Sequence, residues 1–249
     1  MKLAKKCLVL VIILISIFLI YKKTTTDHKV INYIALGDSV AEGMNSYGEI
    51  GYGYPDYIND YLKKKKISGF YTKGFAKSGY KTSDLKRDIE ENKTINEDGK
   101  TINIRSSLRE SNLVTISIGA NDFLRGLNLN NIDSKLKNIE LTKKEIDNVV
   151  KNVDELIVLV KKYAKEEIIL IGYYNPLPSI KAYKQQIDTL VQYSNVKYEE
   201  IAEKNSIKFI NIFDIFDDNK SFLPNPTDIH PNIKGYEAIS KEIIELIKE

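Results

Sequence analysis

The chain has 249 residues, of which 43% are hydrophobic and 29% are charged, and this balance predicts one large globular domain with a buried core. Its formal net charge of +3 is small for this length and gives no indication of a nucleic-acid partner. The single cysteine, Cys7, excludes an internal disulfide and any cysteine-based metal site in the folded domain.

An apolar run from Cys7 to Tyr21 lies near the N-terminus, with lysines on both sides. Such a run is typical of a secretory signal peptide or a membrane anchor. As a helix it would span about 22 Å, short of a ~30 Å hydrocarbon core, which favours a signal peptide. No Ala-x-Ala-like cleavage site follows, which favours an anchor. We therefore expect residues 1–23 to anchor the protein in a membrane through residues 7–21, with cleavage and secretion as the alternative. In either case the remainder lies outside the cytoplasm.

After a short polar tether at residues 24–30, predicted strands and helices alternate along residues 31–249. Apolar and β-branched runs predict strands at 31–37, 69–76, 112–119, 167–174 and 207–212. Helical spacing and capping signals predict helices at about 54–66, 82–91, 142–165 and 182–204, and a last helix after Pro231. Residues 92–99 are loop-like, and 102–110 are interpreted as helical. This alternation predicts an α/β fold with a mainly parallel sheet and helices on both faces.

Gly37-Asp38-Ser39 follows the first predicted strand, at the sheet edge where open α/β folds build their sites. The same tripeptide is also ordinary turn chemistry. Near the other end of the chain, Asp228-Ile229-His230 supplies an acid and an imidazole, which together can activate a hydroxyl for attack on a carbonyl carbon. The only other histidine, His28, lies in a polar segment beside the apolar run. We therefore interpret Ser39 as a candidate nucleophile and His230 as its base.

Attack on an ester carbonyl also needs hydrogen-bond donors for the negative oxygen that forms. Three candidates follow predicted strands: the backbone N–H of Ser39, the backbone N–H of Gly79, and the side-chain amide of Asn121 in Gly119-Ala120-Asn121-Asp122. Taken singly, Gly79 could be a turn glycine and Asn121 a loop cap. Together with Ser39 and His230, they are interpreted as oxyanion donors.

These four segments resemble the four sequence blocks of the GDSL-type esterases and lipases, also called SGNH hydrolases. The blocks fall in order within residues 31–249, and the first has Val40 where the family name has leucine. The resemblance implies a three-layer α/β/α, flavodoxin-like fold with about five parallel strands, and no metal or cofactor. It also implies Ser39 as nucleophile and His230 as general base and then general acid. The implied oxyanion donors are Ser39, Gly79 and Asn121.

The last block departs from the family pattern in one position. The family usually has its acid three residues before the histidine, where this chain has Thr227, whereas Asp228 lies only two residues before His230. We predict that Asp228 orients Nδ1 of His230, with a backbone carbonyl as the alternative.

The sequence thus predicts a serine esterase acting on acyl-lipid esters or on O-acetyl groups of a glycan, and it does not choose between these substrates. The main alternative is a non-catalytic ligand- or glycan-binding module on the same fold, which is favoured if the last block places no acid on His230. A phosphate-binding regulator is the weaker alternative, because no glycine-rich phosphate cradle follows the first predicted strand.

Overall fold

A parallel β-sheet lies at the centre of the computed structural model, which describes residues 30–124 and 136–248. The strands in these residues are β1 (Ile31–Gly37), β2 (Ser68–Thr72), β3 (Thr94–Glu97), β4 (Lys100–Asn103), β5 (Leu113–Ser117), β6 (Glu167–Ile171) and β7 (Lys208–Ile210). Five of them form one sheet in the order β2-β1-β5-β6-β7, and every neighbouring pair is parallel. Counted along the chain this order is 2-1-3-4-5, the flavodoxin-like arrangement.

Helices connect the strands and cover the sheet. They are α1 (Ser39–Glu42), α2 (Tyr54–Lys64), α3 (Thr82–Glu90), α4 (Ile104–Glu110), α5 (Ala120–Leu124), α6 (Ile139–Lys161), α7 (Lys184–Asn205), α8 (Phe213–Asp218) and α9 (Ile233–Lys248). Two short 3-10 turns, Lys181–Tyr183 and Lys220–Phe222, lie between them.

Alternation along β1 divides its side chains between two hydrophobic clusters. Ile34 and Leu36 belong to the cluster under α3, α4, α6 and α7, whereas Tyr33 and Ala35 belong to the cluster under α2, α8 and α9. Successive side chains of a strand point to opposite faces, so a sheet buried on both faces needs apolar residues at every position. The predicted α/β/α architecture with a five-stranded parallel sheet is therefore confirmed.

The structure corrects two local predictions. The second strand ends at Thr72 and does not continue to Ala76, because the chain turns at Gly74-Phe75. Residues 92–99 are not simply a loop: β3 and β4 pair as an antiparallel hairpin, and the predicted 102–110 helix begins only at Ile104. The hairpin turn is Asp98-Gly99, with φ of 50° and 74°, the positive values that a two-residue type I′ turn requires.

The predicted anchor at residues 1–23 and tether residues 24–29 lie outside the described residues. Within residues 30–124 and 136–248, no helix has the length and apolar character needed to cross a membrane.

Candidate active site

The first segment of the site is held at the junction of β1 and β5. Gly37 has a φ of 144°, and a Cβ there would lie 2.0 Å from the carbonyl oxygen of Ser117 at the end of β5. Only glycine permits this approach. The next residue, Asp38, donates its backbone N–H to the same Ser117 oxygen at 3.0 Å. Ser39 therefore begins α1 at the point where the strand order reverses, which is where this fold class binds ligands.

Asp38 is the buried N-cap of α1. Its carboxylate accepts the N–H of Val40 at 3.1 Å, which fixes the turn that carries Ser39. Burial raises the pKa of the Asp38 carboxyl to about 7, because the charged form is poorly solvated there, although the Val40 N–H favours that charged form.

Ser39, His230 and Asp228 form a continuous hydrogen-bonded chain. Nε2 of His230 lies 2.7 Å from Oγ of Ser39, and Nδ1 lies 2.8 Å from Oδ1 of Asp228. A carboxylate beside Nδ1 keeps the proton on that nitrogen, which leaves Nε2 to accept the serine hydroxyl proton. The side chain of His230 is 10% exposed and that of Asp228 28% exposed, so the pair lies at the edge of the protein interior.

Local hydrogen bonds in the last loop explain why Asp228, and not Thr227, contacts the imidazole. The Thr227 hydroxyl and backbone N–H both donate to Oδ1 of Asn225, at 2.8 and 3.1 Å. Asn225 in turn donates its amide to the Ser46 carbonyl at 2.8 Å. Thr227 is thus directed away from His230, and the loop is tied to the segment that follows α1.

The second of the four sequence segments, Ser78-Gly79, forms a tight turn that is held by hydrogen bonds to Glu42. Tyr80 donates its N–H to the Lys77 carbonyl at 3.0 Å, and Gly79 adopts the positive φ of 79° that this turn needs. Oε2 of Glu42, in α1, accepts the backbone N–H and the hydroxyl of Ser78 at 2.7 and 2.6 Å. The turn is therefore tied directly to the helix that begins with Ser39.

The third segment is joined to the second by two side chains. Asn121 donates its amide to the carbonyl of Tyr80 at 3.0 Å. Asp122 accepts the backbone N–H and the hydroxyl of Thr82, at 2.9 and 2.6 Å. An asparagine amide has two N–H groups, so Asn121 can bind Tyr80 with one and present the other to a ligand. Ser39, Gly79 and Asn121 thus stand on three turns that are bonded to one another.

Two tyrosines fix the turn that leads to Asn121. The hydroxyls of Tyr173 and Tyr198 both donate to the carbonyl of Ile118, at 2.8 and 3.0 Å. A Cβ on the adjacent Gly119, which has a φ of 113°, would lie 2.3 Å from the Tyr198 hydroxyl. These tyrosines and Glu42 were not predicted from the sequence, because each acts on a residue 36 to 80 positions away and carries no local motif.

Within residues 30–124 and 136–248, no cluster of three or more histidine, cysteine, aspartate or glutamate side chains is arranged to hold a metal ion.

Known proteins similar to this chain include lipases and esterases. Over 87% of its length it is similar to the lipase Lip_vut3 from a goat rumen metagenome, with a TM-score of 0.66, 20% identity and 97% of that chain covered. An extracellular lipase of Streptomyces rimosus gives a TM-score of 0.65 at 17% identity, with 87% of this chain and 99% of that chain covered. Axe2, an acetylxylan esterase of Geobacillus stearothermophilus, gives 0.59 at 20% identity, with 87% and 94% covered. These likenesses show the fold.

Sequence comparison identifies the family. The uncharacterized protein YpmR of Bacillus subtilis (strain 168) is 23% identical over 233 residues, which cover 92% of this chain and 85% of YpmR. The profile of the GDSL-like Lipase/Acylhydrolase family matches residues 35–238, which include all four sequence blocks. The chain therefore belongs to the GDSL-like lipase/acylhydrolase family of ester-hydrolysing enzymes.

Proposed function

We propose that this enzyme is a serine esterase in which Ser39 is the nucleophile, His230 the general base and Asp228 the orienting acid. The observation that carries the proposal is the continuous chain from Ser39 Oγ through His230 to Asp228, with both distances below 3 Å. A serine hydroxyl is a weak nucleophile until a neighbouring base removes its proton.

The geometry supports a two-step reaction. Ser39 Oγ attacks the ester carbonyl carbon while its proton moves to Nε2 of His230, and the Asp228 carboxylate balances the positive charge of the imidazolium that forms. The carbonyl oxygen becomes an oxyanion, which the N–H groups of Ser39, Gly79 and Asn121 stabilise. The alcohol leaves with the proton held by His230. Water then repeats the sequence on the acyl-enzyme and releases the carboxylic acid.

Substitution of the two central residues tests this function. We expect Ser39→Ala and His230→Ala each to lower kcat for short p-nitrophenyl esters by at least ~10³, because the activated nucleophile is lost. Ser221→Ala is the matched control, since Ser221 is exposed on a 3-10 turn and belongs to none of the four sequence blocks. Wild-type turnover by Ser39→Ala would rule out this mechanism, and absence of turnover by the wild-type protein would favour the non-catalytic binding module.

We also propose that the enzyme acts outside the cytoplasm, held at a membrane by residues 7–21. The support for this is the apolar run with lysines on both sides and without a small-residue cleavage site. The candidate substrates at that location are acyl-lipid esters and O-acetyl groups of a glycan.

A further inference from the structure

A partly open apolar cavity of about 150 Å³ lies at the carboxyl ends of β5 and β6. The two long helices α6 and α7 form much of its wall. Their apolar contributions include Ile146, Val149, Val150, Ile187, Leu190 and Val191.

The cavity meets the proposed active site at three of its loops. Asp38 and Val40, on either side of Ser39, line it, as do Ala120, which precedes Asn121, and Ile229, which precedes His230. A group bound in the cavity would therefore lie next to the loops that carry Ser39, Asn121 and His230, and it could be part of an ester whose carbonyl is held at Ser39.

Five of the six hydroxyl groups on the cavity wall are already used within the protein, and the sixth is that of Ser117. Five hydroxyls there each donate to a main-chain carbonyl, which leaves their carbon atoms to face the interior. They belong to Thr142, Tyr173, Tyr174, Ser194 and Tyr198. A sugar would need unpaired donors and acceptors to replace its water. An aliphatic group needs none, so the wall suits a hydrocarbon.

The departure of the alcohol decides which part of an ester can stay in the cavity. Gly79 follows β2, on one side of Ser39, whereas the cavity lies beyond β5 on the other side. The oxyanion donors lie on both sides of Ser39, because Asn121 follows β5. A carbonyl oxygen held among them leaves the cavity open to one of the two substituents of the carbonyl carbon. The alcohol must stay beside His230 to receive its proton and then leave. The acyl chain is the part that can remain enclosed.

We propose that this cavity binds the acyl chain of the substrate, so that the enzyme prefers esters of medium-length apolar acids over acetyl esters. This inference rests on the proposed serine-esterase function. An apolar cavity of ~150 Å³ holds a benzene-sized molecule, which corresponds to an acyl group of roughly six carbons. Each methylene transferred from water contributes a factor of about four in binding, so acetyl groups leave most of that gain unused.

A pair of isomeric esters tests the assignment with the wild-type enzyme. Ethyl hexanoate and hexyl acetate have the same atoms, but the apolar chain is on the acid in one and on the alcohol in the other. We expect kcat/KM to be at least ~10-fold higher for ethyl hexanoate, because several methylenes of its acyl chain would be buried in the cavity. The rate of hydrolysis is measured as acid release in a pH-stat. Equal values, or a preference for hexyl acetate, would overturn the assignment of the cavity to the acyl chain.

Substitutions on the cavity wall test whether the preference for longer acyl chains arises in this cavity. Val149→Phe, on α6, adds volume inside the cavity and should lower the ratio of kcat/KM for ethyl hexanoate over ethyl acetate at least ~10-fold. Ile187→Ala, on α7, enlarges the cavity and should move the preference toward longer acids. Val158→Phe is the matched control, because Val158 is on α6 but 47% exposed, and its ratio should stay within twofold.

The outcomes separate this inference from the proposed function. Hydrolysis of acetate and hexanoate esters at similar rates, unchanged in Val149→Phe and Ile187→Ala, would overturn the acyl-chain site and leave the serine esterase intact. If neither ester is hydrolysed and a fluorophosphonate does not label Ser39, both proposals fail. Circular dichroism identifies a variant that has not folded, and Leu190→Phe then replaces Val149→Phe on the facing helix.

Discussion

At the scale of single residues, Asp228 shows how an acid only two positions before the histidine can reach the imidazole. Its Oδ1 accepts the backbone N–H of His230 at 2.8 Å and also lies 2.8 Å from Nδ1 of the same residue. An aspartate that bonds the backbone two residues ahead folds the chain into an Asx turn. That turn brings the imidazole of His230 back over the carboxylate.

Replacing this carboxylate tests its proposed role. We expect Asp228→Asn to lower kcat by ~10²–10⁴ with little change in fold, because an amide neither stabilises the imidazolium nor keeps the proton on Nδ1. Asp218→Asn, at an exposed position at the end of α8, is the matched control. A loss below threefold for Asp228→Asn would mean that a backbone carbonyl orients His230.

The pKa of Asp38 predicts how stability changes with pH. Because burial raises the pKa of this carboxyl to about 7 in the folded chain, the native state binds more protons than the unfolded state between pH 4 and 7. This group therefore stabilises the fold at low pH and loses that contribution, at most ~4 kcal/mol, as the pH rises through 7.

Urea unfolding between pH 4 and 8 measures this contribution. We expect the free energy of unfolding of Asp38→Asn to decline less with rising pH than that of the wild type. Asp214→Asn, at an exposed position in α8, should show the same decline as the wild type. The same decline in Asp38→Asn as in the wild type would show that Asp38 is not the group responsible.

At the scale of elements, α1 and the Ser78-Gly79 turn are joined through Glu42. Its carboxylate binds Ser78 and forms an ion pair with Lys77 at 3.0 Å. Burial alone would raise the pKa of Glu42, but the hydrogen bonds from Ser78 and Lys77 outweigh it and lower the pKa. The contact is thus present at neutral pH and is lost only as the pH falls through that lowered pKa.

Glu42→Gln weakens this connection without changing the size of the side chain. We expect kcat to fall about tenfold with KM little changed, because a displaced Gly79 N–H affects the oxyanion more than the bound ester. Glu91→Gln, at an exposed position just after α3, is the control. Wild-type kcat in Glu42→Gln would show that Glu42 does not position the turn.

Prediction from sequence succeeded for the elements with strong local signals. The β-branched, apolar run at β5 indicated a buried parallel strand, and the structure confirms it. The β3-β4 hairpin was missed because its residues are mostly polar, although Asp98-Gly99 is a recognised hairpin turn. The contacts of Glu42, Tyr173 and Tyr198 could not be predicted, since they depend on how distant segments fold together.

At the scale of the whole molecule, the parallel sheet explains how four short segments form one site. Ser39 and His230 are 191 residues apart in sequence, yet their side chains are 2.7 Å apart. Parallel strands direct all their carboxyl ends to one edge, and the strand order reverses between β1 and β5. Residues that follow different strands therefore meet there, whatever their separation in the chain.

The proposed anchor gives a prediction for the intact protein. We expect the full chain to stay in the membrane fraction through a high-salt wash, and protease added outside intact cells to digest the catalytic domain. A variant lacking residues 1–23 provides the control and should be recovered without membranes. A full-length product that begins after Tyr21 and is released from the membrane would show a cleaved signal peptide.

Labelling of the wild-type enzyme with a fluorophosphonate shows whether Ser39 is activated, because this reagent reacts with an activated serine and needs no knowledge of the substrate. Mass spectrometry of the digested product should locate a single phosphonyl group on Ser39, and His230→Ala should slow its formation at least ~10³-fold. Absence of the adduct, or its attachment to a different serine, would contradict the proposal that His230 and Asp228 activate Ser39.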